Sequence, residues 1–331
     1  MTERRETGRP RQKPSGPRKP KSASNPARSL VEKDWSEGER IAKYLARAGV
    51  ASRREVERLI EDGQISVDGV KLTSPAFKVT GRELIRVGRK TIQAPDATRL
   101  WRYHKPAGLI TTTHDPEGRR TVFDELPKSL PRVVTVGRLD LTTEGLLLLT
   151  NDGALARALE LPKNELERTY RVRARGTVTD YKIADLAAGI TVDGVNYKPI
   201  TAVFDRETGA NSWLTVTLSE GKKREVRRAL EAVNLMVNRL IRVQYGPFLL
   251  DDLKPGAVAE VPADLVQSAV GHLIDHTQQV RPPERPAASG KSGGQSASKS
   301  GSKSRGKPGS KPRPGKRPPS GKPPRKRAPK S

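Results

Sequence analysis

Positive charge at the two ends of this chain confines any folded core to the stretch between them. Residues 1–30 carry nine basic and two acidic side chains, and residues 281–331 carry sixteen and one. The ends thus hold 22 of the 26 excess positive charges of the 331-residue chain, and 31–280 is nearly balanced. Both ends are built of Arg, Lys, Pro, Gly and Ser with almost no large apolar residue. Such segments cannot bury enough surface to offset their ordering entropy. Residues 1–37 and 271–331 are therefore expected to be disordered basic tails. What remains has room for about two domains.

Several classes are excluded at this point. No apolar run approaches the ~18–20 residues of a membrane helix. The basic N-terminus is not followed by the apolar stretch of a secretory signal, so a cytoplasmic protein is expected. The chain has no cysteine, which removes disulfides, Cys-ligated zinc and thiolate nucleophiles. Its four His residues are scattered, and neither a metal nor a cofactor is expected. A chain this basic favours an anionic polymer as partner. No heptad or apolar stripe argues for self-association, so a monomer is expected.

The first unit spans 38–96. Ile41, Tyr44, Leu45 and Ala48 fall at helical spacing, and Gly49 stops the run. Ser52-Arg53-Arg54-Glu55 has the form of a capping box and predicts a second helix. Asp68-Gly69, between Ile65/Val67 and Val70/Leu72, predicts a two-residue hairpin. The order is helix, turn, helix, small sheet. The polar faces carry Arg40, Lys43, Arg47, Arg53, Arg54 and Arg58, partly offset by Glu37, Glu39, Glu55, Glu57 and Glu61. They read equally as a solvated face with i,i+4 pairs or as a surface that tracks phosphates.

The second unit, 97–270, mixes strand and helix patterns. Strands are predicted at 100–103, 133–136 and 146–149, and a helix at 154–159 before Pro162. Tyr170, Val172 and Ala174 alternate with Arg171, Arg173 and Arg175, a half-buried strand with one basic edge. Residues 213–218 alternate likewise, 225–233 is helical in pattern, and 237–243 is strand-like. The fold class is α+β, with a largely antiparallel mixed sheet.

The densest chemical signal is Gly137-Arg138-Leu139-Asp140-Leu141-Thr142-Thr143-Glu144-Gly145-Leu146. An acid follows a strand in a turn bracketed by glycines, which permit a sharp turn and close backbone approach. Asp140 reads either as a carboxylate presented at a strand end or as one that bonds turn amides.

Two resemblances bear on these readings. Glu39 to Gly49, then Ser52-Arg53-Arg54, then Gly63 to Gly69, resembles an S4 RNA-binding domain. That implies binding to structured RNA and no reaction. Gly137 to Gly153 resembles, without a gap, the catalytic motif of the RsuA/RluB-type rRNA pseudouridine synthases, which reads G-R-L-D-x-x-T-x-G-L-L-L-x-T-N-D-G. Lys105-Pro106-x-Gly108 and the loop Asp115-Pro116-Glu117-Gly118-Arg119 extend the match to about 38–270.

The resemblance implies a set of roles. Asp140 matches the nucleophile, Tyr170 the active-site tyrosine, Arg227 the basic residue paired with the Asp, and Leu240 an apolar pocket residue. Glu225 stands where many relatives have Gln, and it is expected to point away from Asp140. Lys105, Arg119, Arg138 and Arg173 are expected near the RNA backbone, though each fits a surface ion pair equally well. The implied reaction breaks an N-glycosidic bond, rotates uracil and rejoins it through carbon. A carboxylate nucleophile must be ionised, and a nearby Arg favours that form. The base must leave its stack, and an aromatic such as Tyr170 offsets part of that cost.

The expected substrate is ribosomal RNA. The long Lys/Pro-rich C-terminal tail resembles the RluB-like branch, which acts on large-subunit (23S) rRNA. The alternatives are the same chemistry on 16S rRNA, or a non-catalytic S4-domain RNA-binding or ribosome-assembly factor. Removing both tails is expected to keep the chemistry, weaken binding and flatten its salt dependence.

Overall fold

The computed structural model describes residues 38–273. Residues 1–37 of the N-terminal tail, and the C-terminal tail from 274 on, lie outside the described residues. The turn Gly271–Leu273 continues past the expected boundary at 270, and Leu273 packs against the core.

The first unit follows its local signals. Helix α1 (Ile41–Arg47) buries Ile41, Ala42, Tyr44 and Leu45. Helix α2 (Arg53–Glu61) starts at the capping box. Glu55 N donates to Ser52 Oγ at 3.3 Å, and Ser52 N donates to the Glu55 carboxylate at 2.7 Å. The hairpin turns at Asp68 (φ 49°) and Gly69 (φ 84°), the two left-handed residues a type I′ turn needs. It pairs with Ile85–Val87, which in turn pairs with Lys90–Thr91, in a four-stranded sheet. Ile41, Leu45, Val56, Ile60, Ile65 and Val67 form one small core beneath it.

The second unit is built on a nine-stranded sheet. Its main strands are β1 (Leu100–Lys105), β2 (Thr143–Thr150), β3 (Arg168–Arg175), β4 (Thr201–Thr208), β5 (Asn211–Leu218), β6 (Met236–Tyr245) and β7 (Val258–Glu260). In space they run β4-β5-β3-β6-β2-β1-β7. Two short strands, Val134–Thr135 and Phe248–Leu249, pair with β2 and β6. Only β2 and β6 pair in parallel; the rest are antiparallel.

Four longer helices accompany the sheet, α3 (Gly153–Glu160), α4 (Asp180–Ala188), α5 (Glu225–Ala232) and α6 (Ala263–Val270), besides the single turn Val122–Glu125. The continuous apolar run on β2 has a plain cause. Leu146 and Leu148 pack with α3 and α6 on one face, and Leu147 and Leu149 pack with Trp101, Tyr103 and Leu139 on the other. A strand covered on both faces has no polar side to alternate. Elements without a sequence signal include β4, a mostly exposed edge strand with no period-2 pattern, and the helices α4 and α6.

Candidate active site

The Asp140 turn lies between Val134–Thr135 and β2, and its backbone is held from several directions. Thr111 Oγ1 donates to Leu139 O at 2.9 Å and lies 3.3 Å from Leu139 N. Gly108 N donates to Leu141 O at 2.8 Å. Gly137 N donates to the Glu160 carboxylate at 2.8 Å. Arg227, on α5, donates from Nη2 to Thr142 Oγ1 at 3.1 Å and to Thr142 O at 3.3 Å, and from Nη1 to Val237 O at 3.1 Å. With the turn fixed this way, the Asp140 carboxylate stays 39% exposed.

Lys105 closes the turn from beneath. Its side chain is fully buried, and Nζ donates to Pro106 O at 3.0 Å, Thr143 O at 2.9 Å and Leu141 O at 3.4 Å. Burial pushes its pKa down to about 8, against the opposing pull of the Asp140 and Glu144 carboxylates. This corrects the expectation that Lys105 faces the RNA backbone. An ammonium enclosed by three carbonyls presents nothing to a phosphate.

The arginine in ion-pair range of Asp140 also differs from expectation. Arg227 is spent on main-chain oxygens and Thr142, so it orients the turn and does not clasp the carboxylate. Arg224 Nη1 lies 3.9 Å from Asp140 Oδ2. Arg224 sits in the left-handed region (φ 54°) just before α5. Sequence reasoning passed over it, and its one signal was the basic run Lys222-Lys223-Arg224. Arg227 still lies within the field of Asp140, but burial lowers its pKa first and Arg224 adds to that.

Sheet register brings the other residues near. One row crosses five strands as Val216, Tyr170, Arg242, Gly145 and Lys105, and the next aligns Val172, Leu240 and Thr143. Leu240 is buried in the core that α5 covers, and Tyr170 is half-buried against the same core. Gly145 is required here. Its φ is +101°, and a Cβ would lie 2.2 Å from Arg242 O. Arg242 itself is buried, donates from Nε to Leu146 O at 2.8 Å and stacks on the Tyr245 ring.

Glu225 is buried at the start of α5 and accepts Lys222 N at 2.8 Å. Its Oε1 is buried without a geometric hydrogen-bond partner, beside the Glu220 carboxyl. Burial first, then the hydrogen bond with Glu220, pushes its pKa up to about 7. Two adjacent buried carboxyl groups cannot both ionise cheaply, so Glu225 holds the proton. Glu220 moves the other way because it has Lys222 Nζ at 2.8 Å and the Lys198 amide at 2.7 Å.

This geometry suits a carboxylate that acts on a ligand brought to it. Comparison with known proteins decides the family. Residues 99–232 match the family model described as RNA pseudouridylate synthase, and residues 39–85 match the S4 domain. An RNA pseudouridine synthase of Rickettsia felis is 48% identical over 67% of this chain and 96% of its own length. The chain belongs to the RNA pseudouridine synthases. Ribosomal large subunit pseudouridine synthase B of Escherichia coli O157:H7 is 46% identical over 63% of this chain and 74% of its own. A solved pseudouridylate synthase is 25% identical over 71% of this chain and 99% of its own, with a TM-score of 0.49.

As a pseudouridine synthase, the chain is an RNA isomerase preceded by an S4 domain. The cations expected to meet RNA fall into distinct settings. Arg40, Arg53, Arg54 and Arg138 are exposed. Lys43 and Arg47 both pair with Glu39, at 3.0 and 3.3 Å. Arg119 forks onto Asp115, with both contacts at 2.9 Å, and this holds the Asp115 carboxyl down to about 2. Arg173 is half-buried on β3, and its Nε has no hydrogen-bond partner. Among the described residues no cluster of His, Cys, Asp and Glu is arranged to hold a metal, and no helix is long and apolar enough to cross a membrane.

Proposed function

We propose that this RNA pseudouridine synthase isomerises a specific uridine of large-subunit (23S) ribosomal RNA, with Asp140 as nucleophile on a base turned out of its stack. The observation that carries the reading is the turn itself. Four separate side chains hold its backbone (Lys105, Thr111, Glu160 and Arg227), while the Asp140 carboxylate remains open. Fixing a reacting group before its substrate arrives is a large source of rate enhancement.

The chemistry needs no electron carrier. The N-glycosidic bond breaks, the uracil turns, and a carbon–carbon bond forms at the same sugar carbon. The ring carbon gives up a proton and the freed nitrogen gains one. Arg224 places its guanidinium 3.9 Å from the attacking carboxylate. Tyr170 offers a stacking face worth about 1–3 kcal/mol to the extruded base, and Leu240 packs beneath the pocket. The large-subunit target is supported by similarity to a synthase named for that subunit.

The test is direct. Purified protein is incubated with unmodified small- and large-subunit rRNA transcripts, and pseudouridine is mapped by chemical labelling and primer extension. A single new stop in the large-subunit transcript, lost in Asp140→Asn, is the expected result. A stop only in the small-subunit transcript overturns the substrate. A stop that survives Asp140→Asn overturns the nucleophile. Product on neither transcript, nor on precursor particles, overturns the activity in favour of a binding factor.

A further inference from the structure

One pair of buried acids has no part in the chemistry above. Glu220 lies in the segment between β5 and α5, and Glu225 is the first residue of α5. Both are buried. Arg224, directly before Glu225, places Nη1 3.9 Å from Asp140 Oδ2. We propose that Glu220 and Glu225 form a carboxyl clasp that holds Arg224 beside Asp140, which makes the two acids positioning residues for the isomerisation. This rests on the reading of Asp140 as the nucleophile and adds to it what keeps the neighbouring guanidinium in place.

The clasp closes through main-chain contacts. Glu225 Oε2 accepts Lys222 N at 2.8 Å, and Glu225 N donates back to Lys222 O at 3.2 Å. Glu220 accepts Lys198 N at 2.7 Å and Lys222 Nζ at 2.8 Å, and Lys222 Nζ also donates to Asn196 O. From β3, Arg168 Nη1 donates to Ser219 O at 3.0 Å. Residues 219, 220, 222 and 225 are therefore all tied down. Arg224 is held only through them. Its backbone sits in the left-handed region (φ 54°, ψ 31°), which few residues with a Cβ adopt unaided. Its guanidinium is 45% exposed and makes no hydrogen bond among the described residues. The direction of that side chain is thus set by its backbone, and the backbone is set by the two acids.

A proton completes the clasp. Glu225 Oε1 is buried and receives no N–H or hydroxyl donor, and it lies beside the Glu220 carboxyl. The two acids face one ammonium, that of Lys222, which also lies 5.7 Å from the Tyr197 ring centre. The other nearby cations are turned elsewhere. Arg168 donates to Leu166 O, Ser219 O and the Tyr245 hydroxyl, and Lys198 Nζ lies 3.6 Å from Glu165. One proton between two acids balances the single ammonium and gives Oε1 its partner. Burial and Glu220 bring the Glu225 pKa to about 7, so this proton leaves near neutrality. Above that pH two adjacent carboxylates repel, the 219–225 segment loosens, and Arg224 drifts from Asp140. Below it the clasp stays shut.

The test follows turnover of large-subunit rRNA by the full chain from pH 6 to pH 8, with amide hydrogen exchange over 219–225 as a second readout. Glu225→Ala opens the clasp and is expected to lower kcat about tenfold at pH 6, the scale of one charge removed from beside a partly exposed carboxylate, with KM kept within about twofold. Arg224→Gln is expected to lose about as much, and Arg224→Gln/Glu225→Ala no more than either single variant. Glu225→Gln keeps an acceptor for Lys222 N and a donor for Glu220 without a proton to lose, and is expected to restore the rate. Relative to it, wild type is expected to slow about fivefold between pH 6 and pH 8. The change at Lys105 near pH 8 is common to both proteins and cancels in that ratio. Matching profiles for wild type and Glu225→Gln overturn the proposal even where Glu225→Ala fails to fold. Losses that multiply in the double variant overturn it too, because Glu225 then acts on the fold and not through Arg224. If wild type makes no pseudouridine, the isomerisation reading fails, and exchange decides the clasp alone. Exchange over 219–225 that quickens beyond its intrinsic rate above pH 7 in wild type, and not in Glu225→Gln, upholds the clasp. Exchange that is alike in the two removes it.

Discussion

Two groups of cations in this protein differ in almost everything except formal charge. Lys105, Arg227 and Arg242 are buried around the Asp140 turn and the β2–β6 pairing, and their donors go chiefly to main-chain carbonyls. Arg53, Arg132, Arg157 and Lys163 stand exposed, with no ion pair among the described residues. The buried group holds the backbone that presents the Asp140 carboxylate. The exposed group leaves its charge available to a ligand. A net charge of +26 is therefore not one quantity, and much of what looks like RNA affinity in the sequence is architecture.

The comparison is broken or sharpened by measurement. Its largest expected effect is Lys105→Ala, which removes the donor that ties Pro106 O, Leu141 O and the buried Thr143 O together and opens a cavity where the lysine stem lay. A loss of about 2–5 kcal/mol is expected in urea unfolding, with isomerisation falling alongside. A loss under about 0.5 kcal/mol removes Lys105 from the architectural group.

The second effect extends the comparison to acids. Glu225 binds its proton more tightly folded than unfolded. Its contribution to stability is complete below about pH 4.5 and declines as pH rises through about 7. Glu225→Gln keeps a donor toward Glu220 and removes the titration. Its melting temperature is expected to fall less than the wild type's between pH 5 and pH 8.5, by a few degrees. Parallel profiles for the two proteins refute the shared proton. The smallest effect is Arg157→Gln, an exposed unpaired side chain. Its stability is expected to stay within about 0.5 kcal/mol of wild type.

These contrasts explain what the sequence disclosed and what it withheld. The capping box at Ser52 and Glu55 and the Asp68-Gly69 hairpin were legible because their physics is complete within four residues. The Asp140 turn was legible because its glycines and acid are contiguous. Tyr170, Leu240 and Arg227 were reached through resemblance, and the structure gives Arg227 a different hydrogen-bonding task. The burial of Lys105 was not legible, because it follows from β1 pairing with β2 and not from its neighbours in sequence. Arg224 was hidden for a similar reason, since its approach to Asp140 depends on one left-handed residue ahead of α5. The edge strand β4 was missed because it buries too little to impose a pattern.

The parallel pairing of β2 with β6 has a consequence in time. Thr111 and Lys105 reach the Asp140 turn across 28 to 38 residues of chain, but Arg227 reaches it across 85, and Arg242 reaches Leu146 across 96. Contacts that distant close late, because loop closure must precede the gain. On a ribosome adding about 5–20 residues per second, Asp140 emerges several seconds before the segment that completes its support. A nascent or prematurely ended chain thus carries Asp140 in a turn braced on one side only. Catalytic competence arrives with the last third of synthesis, after the S4 domain has had time to fold.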